Sequence, residues 1–85
     1  MEKKKKMIFF YTSIFCPRCM MARRSLFALK KSFPSIEIEE IDITRHPLRA
    51  WRDGIRLIPA LRSEETVLAG FLLDRRQIEN FLSRL

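Results

Sequence analysis

The chain has 85 residues, 47% of them hydrophobic, which favours one small domain with a single core. Two glycines and four prolines give no stretch typical of a flexible linker, and two cysteines are too few for a disulfide-stabilised secreted scaffold. The formal charge is +7, and part of it comes from a basic N-terminal tail, residues 1–6. We expect this tail to be solvated; weak docking to an acidic partner is the alternative.

The tail and the apolar run after it superficially resemble a signal peptide, but Thr12 and Ser13 interrupt the run and no small-residue cleavage site follows. No apolar stretch approaches the roughly 18 residues of a membrane span. Most aromatic residues fall at core-like positions, without the stacking motif of an RNA-binding sheet. We therefore expect a cytoplasmic protein that binds neither membranes nor a specific nucleic acid.

The first half of the chain predicts a strand, a helix and a second strand. Met7 to Thr12 is a continuous apolar and β-prone run, typical of a strand buried on both faces. Pro17 suits the first turn of a helix that Pro34 ends. The apolar positions of this helix recur at helical spacing: Cys19, Ala22, Leu26, Leu29 and Phe33. Ile36 to Ile43 predicts the second strand, with an irregularity near Glu39-Glu40.

The second half predicts a short helix, a hairpin and a last helix. Thr44 to Asp53 is typical of a helix that Thr44 caps and Gly54 follows. A strand beginning at Ile58 and a partner at Thr66 to Ala69 are too close in sequence for anything but a hairpin. Asp74 begins the last helix. The order β-α-β-α-β-β-α predicts an α/β domain over residues 7–85, a four-stranded mixed sheet with helices on both faces.

The tetrad Cys16-Pro17-Arg18-Cys19 lies where the first strand gives way to the first helix. Unpaired N–H groups and the helix dipole favour a negative charge at that end, so Cys16 is expected to be an exposed attacking thiolate. Cys19, one turn later, is placed to close a disulfide with it. The alternative is a metal or iron–sulfur binder, which needs four thiolates and hence a dimer.

Three segments together resemble the thioredoxin/glutaredoxin superfamily, over nearly the whole chain after the tail. They are Phe15 to Cys19, Gly54 to Leu61 with its Ile-Pro, and Ala69-Gly70-Phe71 before the last helix. The first is the redox tetrad, the second resembles the cis-proline stretch of thioredoxins, and the third is similar to Ser-Gly-Phe of NrdH-redoxins. The resemblance implies a thioredoxin-like fold and a small glutaredoxin-like or NrdH-redoxin-like protein.

The resemblance implies a thiol–disulfide oxidoreductase with Cys16 and Cys19 as catalytic residues. Pro59 would be cis, lying against the disulfide, and the backbone of Ile58 would pair with an extended substrate; an ordinary trans-proline opening an edge strand is the alternative. The implied substrate-binding residues are Phe15, Pro17, Arg18, Ile58, Pro59 and Gly70.

The resemblance also implies a monomer with no bound cofactor and no metal, whose Cys16–Cys19 disulfide is reduced by a flavoprotein reductase or by glutathione. The tetrad has Arg18 where glutaredoxins usually have Tyr, and Ala69-Gly70-Phe71-Leu72 replaces their Gly-Gly-Cys-Asp. These differences favour a reductase as donor and disulfide-containing proteins as substrates. The buried Asp beneath the disulfide of thioredoxins has no counterpart in Ile8 to Tyr11.

Other chemistry-bearing residues have simpler interpretations. His46, before Pro47, is expected at the surface near a helix end. The Met20-Met21 pair predicts helix packing rather than a soft-metal site, and Trp51 is expected to be in the core or half-buried. Four acidic residues are expected to form one solvated strand face: Glu37, Glu39, Glu40 and Asp42.

Overall fold

A computed structural model describes residues 6–64, 66–70 and 73–85. Its elements follow the predicted order: β1 Lys6–Thr12, α1 Pro17–Lys30, β2 Ile36–Asp42, α2 Pro47–Arg52, β3 Ala60–Arg62, β4 Val67–Ala69 and α3 Arg75–Ser83. Part of the basic tail (residues 1–5), Glu65 of the predicted hairpin, and Phe71 and Leu72 lie outside the described residues. Within the described part of the chain, no helix has the length and apolar character needed to cross a membrane.

The four strands form one mixed sheet in the order β2-β1-β3-β4. The β1–β2 pair is parallel, and the β1–β3 and β3–β4 pairs are antiparallel. Residues of α1 and α3 pack with Ile8 and Phe10 on one face of the sheet. On the other face, Ala50 of α2 packs with Tyr11. The predicted mixed sheet with helices on both faces is confirmed.

The end of α1 and the start of β3 differ from the prediction. α1 ends at Lys30 rather than near Phe33, because Ser32 and Phe33 donate to the carbonyls three residues back, which tightens the chain into turns. β3 begins at Ala60 rather than Ile58, because Pro59 has no N–H to donate to the sheet.

β2 has no irregularity at Glu39-Glu40: it pairs with β1 in unbroken register from Ile36 to Asp42. Its apolar side chains change face because different helices cover its two ends. Ile36 and Ile38 pack on the side of α1, and Ile41 packs on the side of α2.

The expectation of one solvated acidic face on β2 was also wrong. Alternate residues of a strand point to opposite faces, so Glu39 and Glu40 lie on different sides of the sheet. Glu40 pairs with Arg23 of α1 at 2.9 Å, and Glu39 pairs with Arg49 of α2 at 3.3 Å. Each carboxylate therefore connects the strand to the helix on its own side.

α2 is capped differently from the prediction. Thr44 does not cap it: its N–H and hydroxyl both donate to Asp42, and His46, exposed as expected, is the N-cap without a side-chain bond. At the other end Gly54 has φ of 81°, its N–H donates to Trp51 and that of Ile55 donates to Ala50. This is a Schellman ending, which needs the left-handed conformation that glycine adopts most easily.

Three large side chains expected to pack are exposed instead. Trp51 is 65% exposed, because α2 turns Ala50 and not Trp51 toward the sheet. Met20 and Met21 are mostly exposed as well, since they lie off the buried stripe of α1. α3 follows the prediction, with Asp74 as its N-cap in a reciprocal pair of bonds with Gln77.

Candidate active site

Cys16 is the N-cap residue of α1, and its sulfur performs the task of a capping side chain. The backbone of Cys16 is extended, with φ of −115° and ψ of 101°, and its Sγ accepts the Cys19 N–H at 3.2 Å. Pro17 follows at the first helical position, where no N–H is needed. A sulfur that faces helix N–H groups is one whose negative charge the helix stabilises.

The prediction of an exposed Cys16 needs correction. Cys16 keeps 6% of its surface exposed and Cys19 none, so only a small part of Cys16 is accessible to another molecule. The capping geometry is the reason, because it turns the Cys16 sulfur toward the helix backbone. Both cysteines are free thiols in this structure.

Cys19 lies deeper and holds its proton strongly. Burial, its largest cause, raises the pKa of the Cys19 thiol to about 11, and a hydrogen bond with Cys16 acts in the same direction. Contacts with the Thr12 hydroxyl and the Ser13 backbone lower it by less. At neutral pH the buried Cys19 thiol of the pair is therefore protonated.

The loop before β3 lies at the same edge of the sheet as the cysteines. The Ile58–Pro59 peptide bond is cis, as the resemblance implies, and Pro59 is fully buried. Because Ala60 pairs with Tyr11 near the end of β1, this loop faces the segment that leads into the tetrad. Arg18 spans the two, with Nη1 at 3.5 Å from the Ile58 carbonyl oxygen.

The remaining predicted site residues lie around this edge. The Gly70 N–H is 3.4 Å from the Pro59 carbonyl oxygen, which connects the end of β4 to the proline loop. Phe15 precedes Cys16 and is 79% exposed, so it offers an aromatic surface beside the thiol. Its own N–H donates to the Ser13 hydroxyl, which fixes the turn that it occupies.

No protein-family model and no curated protein sequence matches the chain. Solved structures do match it. Thioredoxin O2 from Arabidopsis thaliana, in its oxidised state, has a TM-score of 0.81 at 14% identity, over 96% of this chain and 76% of that one. Mitochondrial thioredoxin 3 from Saccharomyces cerevisiae has a TM-score of 0.76 at 17% identity, over 98% and 81%. A malarial protein matches with 0.76 at 15% identity, over 95% and 97%.

The chain has a thioredoxin-like fold. Within that fold the cysteine tetrad and the cis-proline loop belong to the same edge of the sheet, which is where the topology of an α/β sheet brings loops together to form sites. The fold explains the separation of the two segments in sequence, since β2 lies between them in the chain, whereas in the sheet β1 is the direct neighbour of β3.

Sequence reasoning missed two residues of this site. Thr12 and Ser13 had no predicted role beside the cysteines, yet both contact the Cys19 thiol. Ser13 is also buried, and its carbonyl oxygen accepts the Cys16 N–H at 3.2 Å. Their position, immediately before the tetrad at the end of a buried strand, is the signal that identifies them.

The metal-binding alternative has no further ligand within the part of the chain that the structure describes. No group of three or more His, Cys, Asp or Glu side chains is arranged to hold a metal ion there. A site of four thiolates would therefore have to draw its other two from a second molecule.

We predict that the Cys19 thiol of the reduced protein stays protonated up to about pH 11, because burial disfavours its charged form. Nuclear magnetic resonance of ¹³Cβ-labelled cysteine follows this ionisation directly. Since an unfolded cysteine ionises near pH 8.5, this thiol stabilises the fold fully below that pH and the stabilisation is lost as the pH rises toward 11. A Cys19 midpoint near 8.5 would contradict the prediction.

Proposed function

We propose that the protein is a thiol–disulfide oxidoreductase that reduces disulfides of other proteins through Cys16 and Cys19. The observation that carries the proposal is the arrangement of the two free thiols: the Cys16 sulfur caps α1 and accepts the N–H of Cys19, 3.2 Å away, beside a cis-proline loop. The sulfur lies at a helix N-terminus, the end where the helix dipole favours a negative charge, and a thiol within the same turn can displace it from a mixed disulfide.

The reaction proceeds in two exchanges. The Cys16 thiolate attacks one sulfur of a substrate disulfide, forming a Cys16–substrate disulfide and releasing the other substrate sulfur as a thiolate that takes up a proton. The Cys19 thiol then loses its proton and attacks the Cys16 sulfur. The second substrate sulfur leaves as a thiol, and the two electrons gained by the substrate come from the dithiol, which becomes the Cys16–Cys19 disulfide.

In this proposal the proline loop orients the substrate. The Ile58 backbone would pair with an extended segment of the substrate, and Phe15, 79% exposed, would cover the disulfide from the other side. Arg18 already contacts the Ile58 carbonyl oxygen, so substrate would compete with or join that contact. A flavoprotein reductase would return the electrons, in a compartment such as the cytoplasm where thiols are kept reduced.

The test is reduction of insulin by the full chain, purified without metal. Turnover is measured side by side with NADPH plus a flavoprotein thioredoxin reductase and with glutathione plus its reductase. We expect catalysis with the first donor and little with the second. A chain that accelerates neither reaction, but holds one zinc ion per two molecules through its thiolates, would replace the proposal with the dimeric metal binder.

A prediction on Arg18 separates its charge from its bulk. Arg18→Met should slow the attack of Cys16 on the uncharged disulfide 2,2′-dithiodipyridine about two- to fivefold, the range expected from one partly solvated charge. The reason is the loss of a cation in the first turn of α1 and of its contact with the Ile58 carbonyl oxygen. Arg24→Met, further along the same helix, is the matched control and should leave the rate unchanged.

A further inference from the structure

The outer surface of α2 leaves large apolar side chains in solvent. Leu48 is 82% exposed and Trp51 65%, and residues three apart on a helix lie on the same side. Leu57, just beyond the helix, is 44% exposed. We call these three side chains, with the exposed arginines around them, the α2 surface. Large apolar side chains that lie exposed on one side of a helix are candidates for a protein contact.

Positive charge surrounds these apolar side chains. Arg45, Arg52 and Arg56 are exposed in the same segment, residues 45–57. The one acidic residue of that segment is Asp53, whose carboxylate is directed toward the Tyr11 hydroxyl at 2.7 Å and so leaves the outer surface cationic. The α2 surface is therefore complementary to an acidic surface with an apolar centre.

Trp51 is held in position rather than free to collapse. The Arg56 guanidinium lies 3.6 Å from the centroid of the Trp51 ring and donates to the carbonyl oxygens of Trp51 and Ile55 at 3.1 and 3.2 Å. A cation stacked on an indole stabilises that orientation of the ring. Tryptophan and arginine are also the side chains most enriched among the residues that dominate protein–protein binding energy.

We propose that the α2 surface is a docking site for an acidic protein surface that presents aliphatic or aromatic side chains at its centre. A lipid surface fits less well, because α2 has only six residues and two apolar anchors, whereas interfacial helices bury a long apolar face. Nucleic acid fits less well because one face of Trp51 is already occupied by Arg56 and the remaining anchors are aliphatic. The proposal does not depend on the cysteine chemistry.

The chain contains its own reporter, because Trp51 is its one tryptophan. The experiment titrates the full chain with a helical peptide that carries glutamates around a leucine and phenylalanine face, and follows Trp51 fluorescence. The reference peptide has glutamine at every glutamate position. We expect a saturable blue shift with the acidic peptide, binding at least about tenfold weaker for the reference, and loss of the acidic preference at high salt.

A double substitution tests the location while keeping the reporter. Leu48→Ser with Arg52→Gln should weaken binding about tenfold or more, whereas Met21→Ser with Arg24→Gln, an exposed pair on α1, should not change it. Equal binding by both double variants would overturn the proposal, as would the absence of any shift with the acidic peptide. A shift obtained with phosphatidylserine vesicles or a single-stranded oligonucleotide, but not with the peptide, would assign the surface to that ligand instead.

Discussion

Cys16→Ser should abolish disulfide reduction, while Cys19→Ser should stop the reaction halfway and retain the substrate. Serine can still cap α1 through its hydroxyl, so the Cys16 variant is expected to fold while lacking the sulfur that attacks. The loss should reach at least about a thousandfold, since the one remaining thiol of the chain is that of the fully buried Cys19. The rate of insulin reduction measures the activity of the Cys16→Ser variant.

The Cys19→Ser variant distinguishes the two roles. Its Cys16 can still form a mixed disulfide, but no neighbouring sulfur displaces the substrate, so a covalent complex should accumulate with one substrate molecule per chain. Non-reducing electrophoresis and intact mass spectrometry detect it. Circular dichroism shows whether both variants keep the secondary structure of the parent chain. Accumulation of the same complex in Cys16→Ser instead would reverse the assignment of the two cysteines.

The site features that could be predicted from the sequence are those specified by local signals. A proline between two cysteines, directly after an apolar run, predicts a helix start with a sulfur near it, and Cys16 is indeed the N-cap. Gly54 after a short amphipathic segment predicts a left-handed helix end, and its φ of 81° confirms it. Each of these depends on residues within one or two turns of chain.

The features that could not be predicted depend on which elements meet in space. Trp51 was expected in the core because of its size, but the short α2 offers the sheet only Ala50. The side chains of Glu39 and Glu40 were assigned to one face, because a sequence does not show that helices on opposite sides supply their arginines. Cys16 was expected to be exposed because it begins a helix. In the structure its sulfur caps that helix, and the bond with the Cys19 N–H turns the sulfur inward.

The hydrogen-bonded group around Tyr11 is the clearest example of such non-local information. Tyr11 was interpreted only as part of an apolar strand, yet its buried hydroxyl donates to Asp53, 42 residues away, at 2.7 Å. Arg62 of β3 donates to the same hydroxyl at 3.0 Å. Arg49 and Arg62 also approach the Asp53 carboxylate, at 3.8 and 3.9 Å. Asp53 therefore ties the end of α2 to β1 and β3.

Asp53→Ala should lower the free energy of unfolding by about 2 kcal/mol, the cost of leaving a buried donor without its acceptor. Asp53 lies at the C-terminal end of α2, where the helix dipole disfavours a negative charge, so its stabilising effect comes from these tertiary contacts. Asp53→Asn keeps an acceptor oxygen for Tyr11 and should lose less. Urea unfolding measures both, and an alanine cost below about 0.5 kcal/mol would contradict this account.

The same substitution should change the titration of Tyr11, which is the one tyrosine of the chain and is followed by its absorbance at 295 nm. Burial raises the pKa of Tyr11; the hydrogen bond from Arg62 lowers it and the bond to Asp53 raises it. Asp53→Ala should therefore lower the Tyr11 pKa relative to the parent chain, and Arg62→Gln should raise it further.

Because Asp53 directly precedes Gly54 and the loop that leads to Pro59, loss of this anchor should also slow disulfide exchange, while a distant destabilising substitution such as Leu85→Ala should not.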